Sequence, residues 1–342
     1  MDYRASGVDI DAGNETVRRI RGLARSTFTA GVLSDIGSFG GLFRLDRSHA
    51  QEPVLVSSAD GVGTKLKVAF RAGRHDTVGA DLVNHCVNDI LVQGALPLFF
   101  LDYLATGHLR PKVAESIVGG MATACRANGC ALLGGETAEM PGFYNEGEYD
   151  LAGFIVGVVD QQRLITGRDV AAGDVLVGVP SSGLHTNGYS LARRIVFDHL
   201  ALQVESYVPE LSSTVGDALL EPHRSYLAAI APSLDSGHIK AMAHITGGGI
   251  TDNLPRVLPQ GVAAVIDRTS WEVPAIFAWL AENGRIADAE MFRTFNMGIG
   301  LIIVTARDRA DALIRELAAP GSLGARVVGE LVPGHAPEVR YV

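Results

Sequence analysis

Glycine is the residue that most constrains how this chain can fold. It supplies 40 of the 342 residues, about 12% against a usual share near 7%. Proline contributes only 14 residues and no G-X-Y period is present, so the excess is neither a collagen repeat nor a low-complexity tract. A hydrophobic fraction of 47% predicts a sizeable folded core. We therefore expect the glycines in turns whose backbone geometry other residues rarely adopt.

Charge and cysteine content narrow the classes of partner and compartment. The net charge of −9 argues against a nucleic acid held by a general basic field. Three cysteines favour a reducing cytoplasm over a disulfide framework. The N-terminal segment lacks the apolar core of a signal peptide, and no apolar stretch reaches the roughly 20 residues of a membrane helix. These features predict a cytoplasmic protein with no nucleic-acid or membrane partner.

Apolar periodicity predicts alternating strands and helices. A strand over Val54–Val56 leads into a loop at Asp60, Gly61 and Gly63, and an amphipathic helix follows over Asp81–Val92. Further helices are predicted over 113–127, 189–200, 224–232, 274–282 and 309–318, and further strands over 130–136, 150–160, 175–180, 262–267, 298–305 and 326–331. This order indicates α/β and α+β layers, with a boundary in the polar stretch 161–174.

The common nucleotide-binding motifs are absent. There is no G-x-x-x-x-G-K-[ST] loop and no G-x-G-x-x-G fingerprint. Several glycine-rich turns nevertheless carry acids, amides or hydroxyls, which leaves another form of phosphate chemistry open.

The first of these turns joins Asp60, Gly61, Gly63, Thr64 and Lys65. Its two glycines let backbone N–H groups approach an anion closely. The aspartate could hold Mg²⁺, the threonine could bond a phosphate oxygen, and the lysine could supply a positive charge. The alternative is a surface turn with solvated side chains.

Two further segments carry acids. Asn88 and Asp89 lie on the polar side of the predicted helix, together with Asp81, Asn84 and His85. Gly135 and Glu136 follow an apolar strand, the position where α/β proteins often bind ligands. Carboxylates from such elements suit Mg²⁺. A solvated helix face and an exposed glycine turn are the alternatives.

The second half of the chain contains two candidate anion sites. His185 and Asn187 lie in a turn between a strand and a helix, where backbone N–H groups suit an anion and the histidine could move protons. Gly247, Gly248 and Gly249 form a second possible nest. The alternatives are a histidine that only bonds within its turn and a flexible connector.

Taken in order, these segments resemble the phosphoribosylformylglycinamidine cyclo-ligase (aminoimidazole ribonucleotide synthetase) family. The resemblance runs to about Gly300, and two positions depart from the family pattern: Arg21, where Lys is usual, and Leu96, where Glu is usual. The matching stretches are SGVDIDAGN, DGVGTKL, VNDILVQGA, PLFFLDYLATG, GGETAEMPGFY, GLHTNGYSL, HITGGG, NLPRVLP and FRTFNMGIG.

The resemblance implies a homodimer of two-domain subunits. An N-terminal mixed-sheet domain over 1–165 would bind ATP and dimerise, and an α+β domain would occupy 170–342. The implied reaction converts formylglycinamidine ribonucleotide and ATP into aminoimidazole ribonucleotide, ADP and phosphate. It belongs to de novo purine biosynthesis.

The roles that follow are expectations. Asp60 and Asp89, with Glu136, would hold Mg²⁺, and Lys65 would stabilise the γ-phosphate. His185 would carry a proton and bind substrate. Residues expected to contact ATP are Gly61, Gly63, Thr64, Lys65, Asn88, Gly135 and Glu136. Asn187 would bind the substrate, and Gly247, Gly248 and Gly249 would hold its ribose 5-phosphate. The segment SGVDIDAGN is expected to act as a mobile lid.

Two other functions compete with this one. Thiamine-monophosphate kinase and selenophosphate synthetase are ATP-using enzymes of the same superfamily, but the latter would be expected to carry a reactive cysteine near its N-terminus, and the first cysteine here is Cys86. A non-catalytic nucleotide-binding dimer is the second alternative. It would not need acids beside each glycine turn.

Overall fold

The chain divides near Gln161 into two units, each built on its own sheet. The structure is a computed structural model that describes residues 8–37, 40–46, 50–318 and 324–342. The first unit comprises the described residues of Met1–Ile90 and Leu96–Gln161, and the second those of Leu91–Ala95 and Gln162–Val342. Within this described part, no helix combines the length and the apolar character needed to cross a membrane.

The first unit contains a four-stranded sheet in the order β1-β4-β2-β3. Strands β2 and β3 pair in parallel and the other neighbours pair antiparallel, so the sheet is mixed. Its strands are β1 (Pro53–Gly61), β2 (Leu96–Thr106), β3 (Ala131–Glu139) and β4 (Tyr149–Asp160). Its helices are α1 (Ile10–Arg25), α2 (Leu66–Ala72), α3 (Asp76–Leu91) and α4 (Pro111–Ala127).

The two faces of this sheet differ in burial. Along β4, Leu151, Gly153 and Ile155 are buried, whereas Asp150 and Phe154, at the alternate positions, are exposed. Because side chains alternate along a strand, one face packs into the core and the other stays open. We call these the helix face and the open face. A Cβ on Gly153 would lie 2.9 Å from Leu82 Cγ, which places α3 over the helix face.

Several boundaries in the first unit differ from those predicted. Strand β1 continues through Asp60 and Gly61, which were predicted to lie in a loop, because Asp60 pairs with Gly153 in the sheet ladder. Helix α1 was not predicted. Asp9 caps it by accepting hydrogen bonds from the backbone N–H groups of Asp11 and Ala12.

Helix α1 also changes the expectation of a mobile lid. Ser6 and Gly7 of that segment lie outside the described residues. The stretch from Ile10 to Asn14 forms the start of α1, and the backbone N–H of Asp9 donates to Glu139 Oε2 at 2.7 Å. This part of the segment is therefore helical and tied to β3.

The second unit is built on a six-stranded sheet in the order β12-β9-β11-β5-β10-β8. All seven residues of β10 are buried, as expected of an interior strand covered on both faces. The strands are β5 (Val175–Pro180), β6 (Tyr207–Val208), β7 (Ser213–Thr214), β8 (Ala241–His244), β9 (Val262–Ile266), β10 (Ile299–Thr305), β11 (Arg326–Pro333) and β12 (Val339–Tyr341). The helices are α5 (Tyr189–Arg193), α6 (Val215–Leu220), α7 (Leu227–Ile230), α8 (Gly249–Asn253), α9 (Ala275–Gly284), α10 (Asp288–Thr294) and α11 (Ala310–Leu317).

Two helices of the second unit are shorter than predicted. The helix expected over 189–200 is α5 followed by a π-helix over Arg194–His199. The helix expected over 224–232 is the four-residue α7 followed by a 3₁₀ turn over Ala231–Ser233. Strands β6, β7, β8 and β12 were missed, since each has only two to four residues, too few to show a two-residue period.

A buried ion pair joins the end of the first glycine turn to α3. Lys65 Nζ lies 2.9 Å from Asp81 Oδ1 and 2.8 Å from Oδ2, and both side chains are 0% exposed. Two charges removed from water depend on each other, because either one alone would be buried without compensation. This pair therefore fixes the turn against the helix.

Replacing one member of this pair should destabilise the protein strongly. Lys65→Met would leave the Asp81 carboxylate buried, which costs about 3–5 kcal/mol. The double variant Lys65→Met, Asp81→Leu should recover most of that loss. Urea unfolding followed by circular dichroism measures both. Lys67→Met is the matched control: Lys67 is 39% exposed and paired with Glu148, and such surface pairs contribute about 0–1 kcal/mol. Equal losses for Lys65→Met and Lys67→Met would contradict the expectation.

Candidate functional site

An acidic cluster lies on the helix face where β1 ends. Asp60 Oδ2 is 2.8 Å from Nε2 of His85 on α3. One turn further along α3, Asp89 Oδ2 accepts a hydrogen bond from Ser58 Oγ at 2.9 Å and lies 3.8 Å from the same imidazole nitrogen. Asp60 and Asp89 are 43% and 24% exposed, so a ligand can reach both carboxylates. We call Ser58, Asp60, His85 and Asp89 the acidic cluster.

The cluster favours a charged histidine between two carboxylates. Burial disfavours the imidazolium, but the hydrogen bond to Asp60 and the charges of Asp89 and Asp60 outweigh it, so the pKa of His85 is raised. Burial also works against ionised Asp60, yet the hydrogen bond from His85 prevails and lowers the pKa of Asp60. His85 was expected on the polar side of the helix, with no role assigned to it. Its spacing of four residues from Asp89 was the available signal.

The glycine turn after β1 presents only some of its residues outward. Gly63 has a φ of +67°, and both Gly63 and Thr64 are exposed. Lys65 is not: its ammonium is buried against Asp81 and does not present itself to a phosphate, contrary to the expected direct contact. Asn88 is also fully buried, so this conformation does not offer its side chain to ATP.

Glu136 does not join the two aspartates. In the sheet, Glu136 of β3 pairs laterally with Tyr103 of β2. Tyr103 pairs with Ala152 of β4, and Ala152 pairs with Gly61 of β1. Laterally paired residues share a face, so Glu136 belongs to the open face, whereas Asp60 belongs to the helix face. Three strand spacings of about 4.8 Å separate their backbones by about 14 Å. The predicted site of three carboxylates is thus reduced to Asp60 and Asp89.

A cavity of about 630 Å³ lies along the edge strand β3. Gly134, Gly135 and Glu136 line it, together with Asp102 of the neighbouring strand β2. Burial raises the pKa of Asp102 to about 7; the hydrogen bond from its own backbone N–H opposes this rise and the charge of Glu136 adds to it. Sequence analysis missed Asp102, although an acid inside an apolar run was a visible signal.

In the second unit, three histidines form a buried cluster. The rings of His185 and His223 stack with centroids 3.9 Å apart and an interplanar angle of 23°. His223 Nε2 lies 3.1 Å from His244 Nε2. Nitrogens of all three lie within 4.8 Å of one another. Stacked rings direct their in-plane lone pairs alongside each other rather than at a common point, which disfavours a shared metal ion, and the N···N contact of hydrogen-bond length is the one between His223 and His244.

Close packing holds His185 in place. Its φ is +61°, a strained value for a residue other than glycine, and its Nε2 accepts a hydrogen bond from the backbone N–H of Ser182 at 3.2 Å. A Cβ on Gly300 would lie 2.6 Å from His185 Cε1 and 2.0 Å from the Tyr226 hydroxyl. Glycine at position 300 therefore leaves the space that His185 and the Tyr226 hydroxyl occupy.

The triple-glycine turn lies beside Asn187. A Cβ on Gly247 would lie 3.2 Å from Asn187 Oδ1. The side chain of Asn253 donates to the carbonyl oxygens of Gly247 and Gly249 at 3.1 and 2.8 Å and so shapes the turn. Among the residues that the structure describes, Asn187 Nδ2 is a buried donor without a protein acceptor. Such an atom is expected to meet a ligand or water.

Both units match models of one protein family. Two family models match, described as AIR synthase related protein, N-terminal domain, over residues 30–159, and C-terminal domain, over residues 171–342. The phosphoribosylformylglycinamidine cyclo-ligase of Trichlorobacter lovleyi is 53% identical over 329 residues, which cover 96% of this chain and 94% of that relative.

Solved structures agree on the fold. The crystal structure of thiamine-monophosphate kinase from Stenotrophomonas maltophilia matches with a TM-score of 0.70 at 21% identity and covers 95% of both chains. That of the hydrogenase maturation protein HypE in complex with ATP has a TM-score of 0.69 at 17% identity, covering 96% of this chain and 91% of that one. At these identities the likeness shows the fold alone, and it confirms the predicted α/β and α+β fold class.

Proposed function

This chain belongs to the phosphoribosylformylglycinamidine cyclo-ligase family, and from that premise we propose how its residues carry out the family's reaction. The reaction is the ATP-dependent closure of formylglycinamidine ribonucleotide to aminoimidazole ribonucleotide, with release of ADP and phosphate. It serves purine biosynthesis. The likeness to a thiamine-monophosphate kinase extends to 21% identity and to the fold alone, so it does not compete with a relative 53% identical over nearly the whole chain.

The chemistry requires activation of a poor leaving group. The γ-phosphoryl group of ATP transfers to the formyl amide oxygen of the substrate and leaves ADP. The amidine nitrogen then attacks the same carbon, the five-membered ring closes, and the oxygen departs with phosphate. Because the attack is intramolecular, orientation supplies much of the rate. The protein's part is to position the reactants and to stabilise charge on the phosphoryl group in transfer.

Asp60 and Asp89 fit a magnesium ion that accompanies the triphosphate. Carboxylate oxygens are the ligands that Mg²⁺ prefers, and both carboxylates are partly exposed within the acidic cluster. Such an ion would neutralise charge on the phosphates. Gly61, Gly63 and Thr64 would contribute backbone N–H groups and a hydroxyl, and Lys65 would act through the Asp81 pair by holding the turn. The grouping of Asp60, His85 and Asp89 beside this turn is the observation that carries the proposal.

Residues of the second unit would bind the phosphoribosyl substrate. Asn187 Nδ2 and the turn Gly247–Gly249 are assigned to its 5-phosphate, supported by the buried amide donor beside Gly247. His185 is assigned to proton transfer during ring closure. The ring of His223 stacks on that of His185, and the 3.1 Å contact between His223 Nε2 and His244 Nε2 is a hydrogen bond along which a proton can pass between those two residues.

Incubating the protein with ATP, Mg²⁺ and formylglycinamidine ribonucleotide should yield ADP and the diazotisable aminoimidazole product in equal amounts.

Asp60→Asn and Asp89→Asn should each raise the half-saturating Mg²⁺ concentration by roughly tenfold or more, because a carboxylate near the metal is lost. Glu52→Gln, which removes an exposed carboxylate from the same unit, is the control. ADP release without the aminoimidazole would reject the function, and an unchanged Mg²⁺ requirement would reject the metal assignment alone.

A negative charge beside the triple-glycine turn should weaken binding of the phosphoribosyl substrate selectively. Asn187→Asp replaces the buried amide donor with a carboxylate that repels phosphate. We expect KM for formylglycinamidine ribonucleotide to rise by about tenfold or more, while KM for ATP stays within about twofold. Steady-state kinetics with each substrate varied in turn measure both constants. A parallel rise in the two would point to a general structural defect instead.

We also propose that the protein is a homodimer formed through the open face of the first sheet. Leu55, Leu96 and Phe154 are 60%, 45% and 46% exposed, although all three are large and apolar. Leu55 and Leu96 both pair laterally with Val158, which places them on that face, on either side of Val158 and about 10 Å apart. Exposed apolar groups clustered in this way mark an interface. Leu96 thus replaces the family's glutamate with a side chain suited to contact.

Charges on the open face should dissociate the dimer. Leu55→Glu and Phe154→Glu would each bury a carboxylate at the interface, at a cost of several kcal/mol per subunit pair. Sedimentation velocity should then show a monomer near 36.1 kDa in place of a species of twice that mass. Tyr207→Glu is the control, since Tyr207 is an aromatic residue of the second unit that is 64% exposed. A wild-type monomer would contradict the proposal.

A further inference from the structure

A second cavity of the first unit lies between α2, the start of α4 and the start of β4. Its volume is about 380 Å³, within the usual range of ligand pockets, about 300–1,000 Å³. We call it the α2–α4 cavity. Of the described residues that line it, only Leu109 also lines the cavity along β3, and none belongs to the acidic cluster. The proposed ring closure therefore leaves this cavity without a role.

The floor of the α2–α4 cavity is apolar. Leu104 of β2 and Ala114 and Ile117 of α4 line it, and each is at most 2% exposed. Such a surface favours an apolar ligand over water. An apolar cavity of about 150 Å³ already holds one benzene ring. A cavity of about 380 Å³ therefore has room for a system of two fused rings.

One wall of the cavity is aromatic and neutral. The rings of Phe70 on α2 and Tyr149 on β4 meet edge to face, with centroids 4.7 Å apart. His75 also lines the cavity, and its Nδ1 lies 2.9 Å from the Tyr149 hydroxyl. Burial lowers the pKa of His75 against the charge of Asp76, and the charge of Arg110 adds to the fall. Burial also raises the pKa of Tyr149. Both side chains are therefore neutral at pH 7, and an uncharged aromatic wall favours an aromatic ring.

An exposed ion pair lies at the mouth of the cavity. Arg110, the residue before α4, and Glu146, in the loop before β4, both line the cavity. Arg110 Nη2 lies 3.2 Å from Glu146 Oε1, and the two side chains are 50% and 84% exposed. Pairs as exposed as this one contribute little to stability. A ligand can therefore take the place of Glu146 on the guanidinium without a large loss.

The charges at the mouth favour an anion as that ligand. Glu148, which also lines the cavity, lies 2.6 Å from Nζ of Lys67, so its charge is already matched. Arg71 of α2 adds a second guanidinium to the lining. The planar guanidinium of an arginine binds a carboxylate or a phosphate through two parallel hydrogen bonds. An acidic group on the ligand thus fits this mouth better than a basic one.

We propose that the α2–α4 cavity binds a flat aromatic anion of two fused rings, whose carboxylate or phosphate replaces Glu146 on Arg110. The fused rings lie on the apolar floor and against the aromatic wall. No covalent step is involved, and none of the residues that form this site takes part in the proposed ring closure. The ligand site and the reaction can therefore be tested separately.

Binding of 2-naphthoate to the wild-type protein tests the ring and the charge together. Isothermal titration should show one site per chain. The neutral analogue 2-naphthamide should bind about tenfold more weakly or worse, because it offers Arg110 no negative charge. 2-Naphthyl phosphate should also bind more tightly than the amide, and its comparison with 2-naphthoate identifies the preferred acid. Equal affinity for 2-naphthoate and 2-naphthamide, or dissociation constants above about 1 mM for both anions, would overturn the proposal.

Two variants of the ion pair should change this affinity in opposite directions. Arg110→Gln removes the guanidinium and should weaken binding of 2-naphthoate about tenfold or more. Glu146→Gln removes the competitor for that guanidinium and should strengthen binding about twofold to fivefold. Arg126→Gln is the matched control, since it removes an exposed arginine from the last turn of the same helix. That arginine lies about 24 Å further along the helix axis, beyond the screening length of physiological salt, so the affinity should not change.

Ala114→Leu tests the apolar part of the site. The larger side chain fills part of the cavity and should abolish binding of 2-naphthoate while Arg110 stays in place. Circular dichroism melting checks that the variant folds. Wild-type affinity in a folded Ala114→Leu, or equal affinities in Arg110→Gln and Arg126→Gln, would reject the assigned site. Should Ala114→Leu melt early, the variants of the exposed residues Arg110 and Glu146 still decide the question.

Discussion

The buried pair between Lys65 and Asp81 is the interaction on which the candidate site depends. Asp81, His85 and Asp89 follow one another at intervals of four residues, so they share one stripe of α3. Once Lys65 binds Asp81, the rotation of the helix is fixed, and the same stripe directs His85 and Asp89 toward Asp60 at the end of β1. A lysine that contacts no substrate in this arrangement thereby places two carboxylates that can.

This use of lysine bears on how an acidic protein can handle anionic substrates. The chain carries only four lysines and a net charge of −9. One of these lysines, Lys65, is buried in the ion pair with Asp81 and is not available to a phosphate. Attraction of phosphate then falls to backbone N–H groups in glycine turns, to amides such as Asn187, and to a cation held by carboxylates. Acidic residues near the site are consistent with this division, because the proposed metal requires them.

Sequence patterns predicted most helices and strands of both units, since apolar periodicity reports which side of an element faces the core. They did not reveal which residues pack against the polar side of an element. The polar stripe of α3 suggested solvent or ligand, whereas Asp81 and Asn88 are fully buried. Asp60 and Glu136 were grouped by residue type, yet sheet register places them on opposite faces. Register depends on long-range pairing that no local window contains.

The glycine excess has two physical origins, and only one concerns ligands. A Cβ on Gly79 of α3 would lie 2.1 Å from the carbonyl oxygen of Ile117, and one on Gly120 of α4 would lie 1.9 Å from that of Asp76. These two glycines let α3 and α4 pack backbone to backbone. The close approach fixes the position of α3 relative to α4. Glycines far from any ligand therefore help to build the site, because they hold the helix that carries His85 and Asp89.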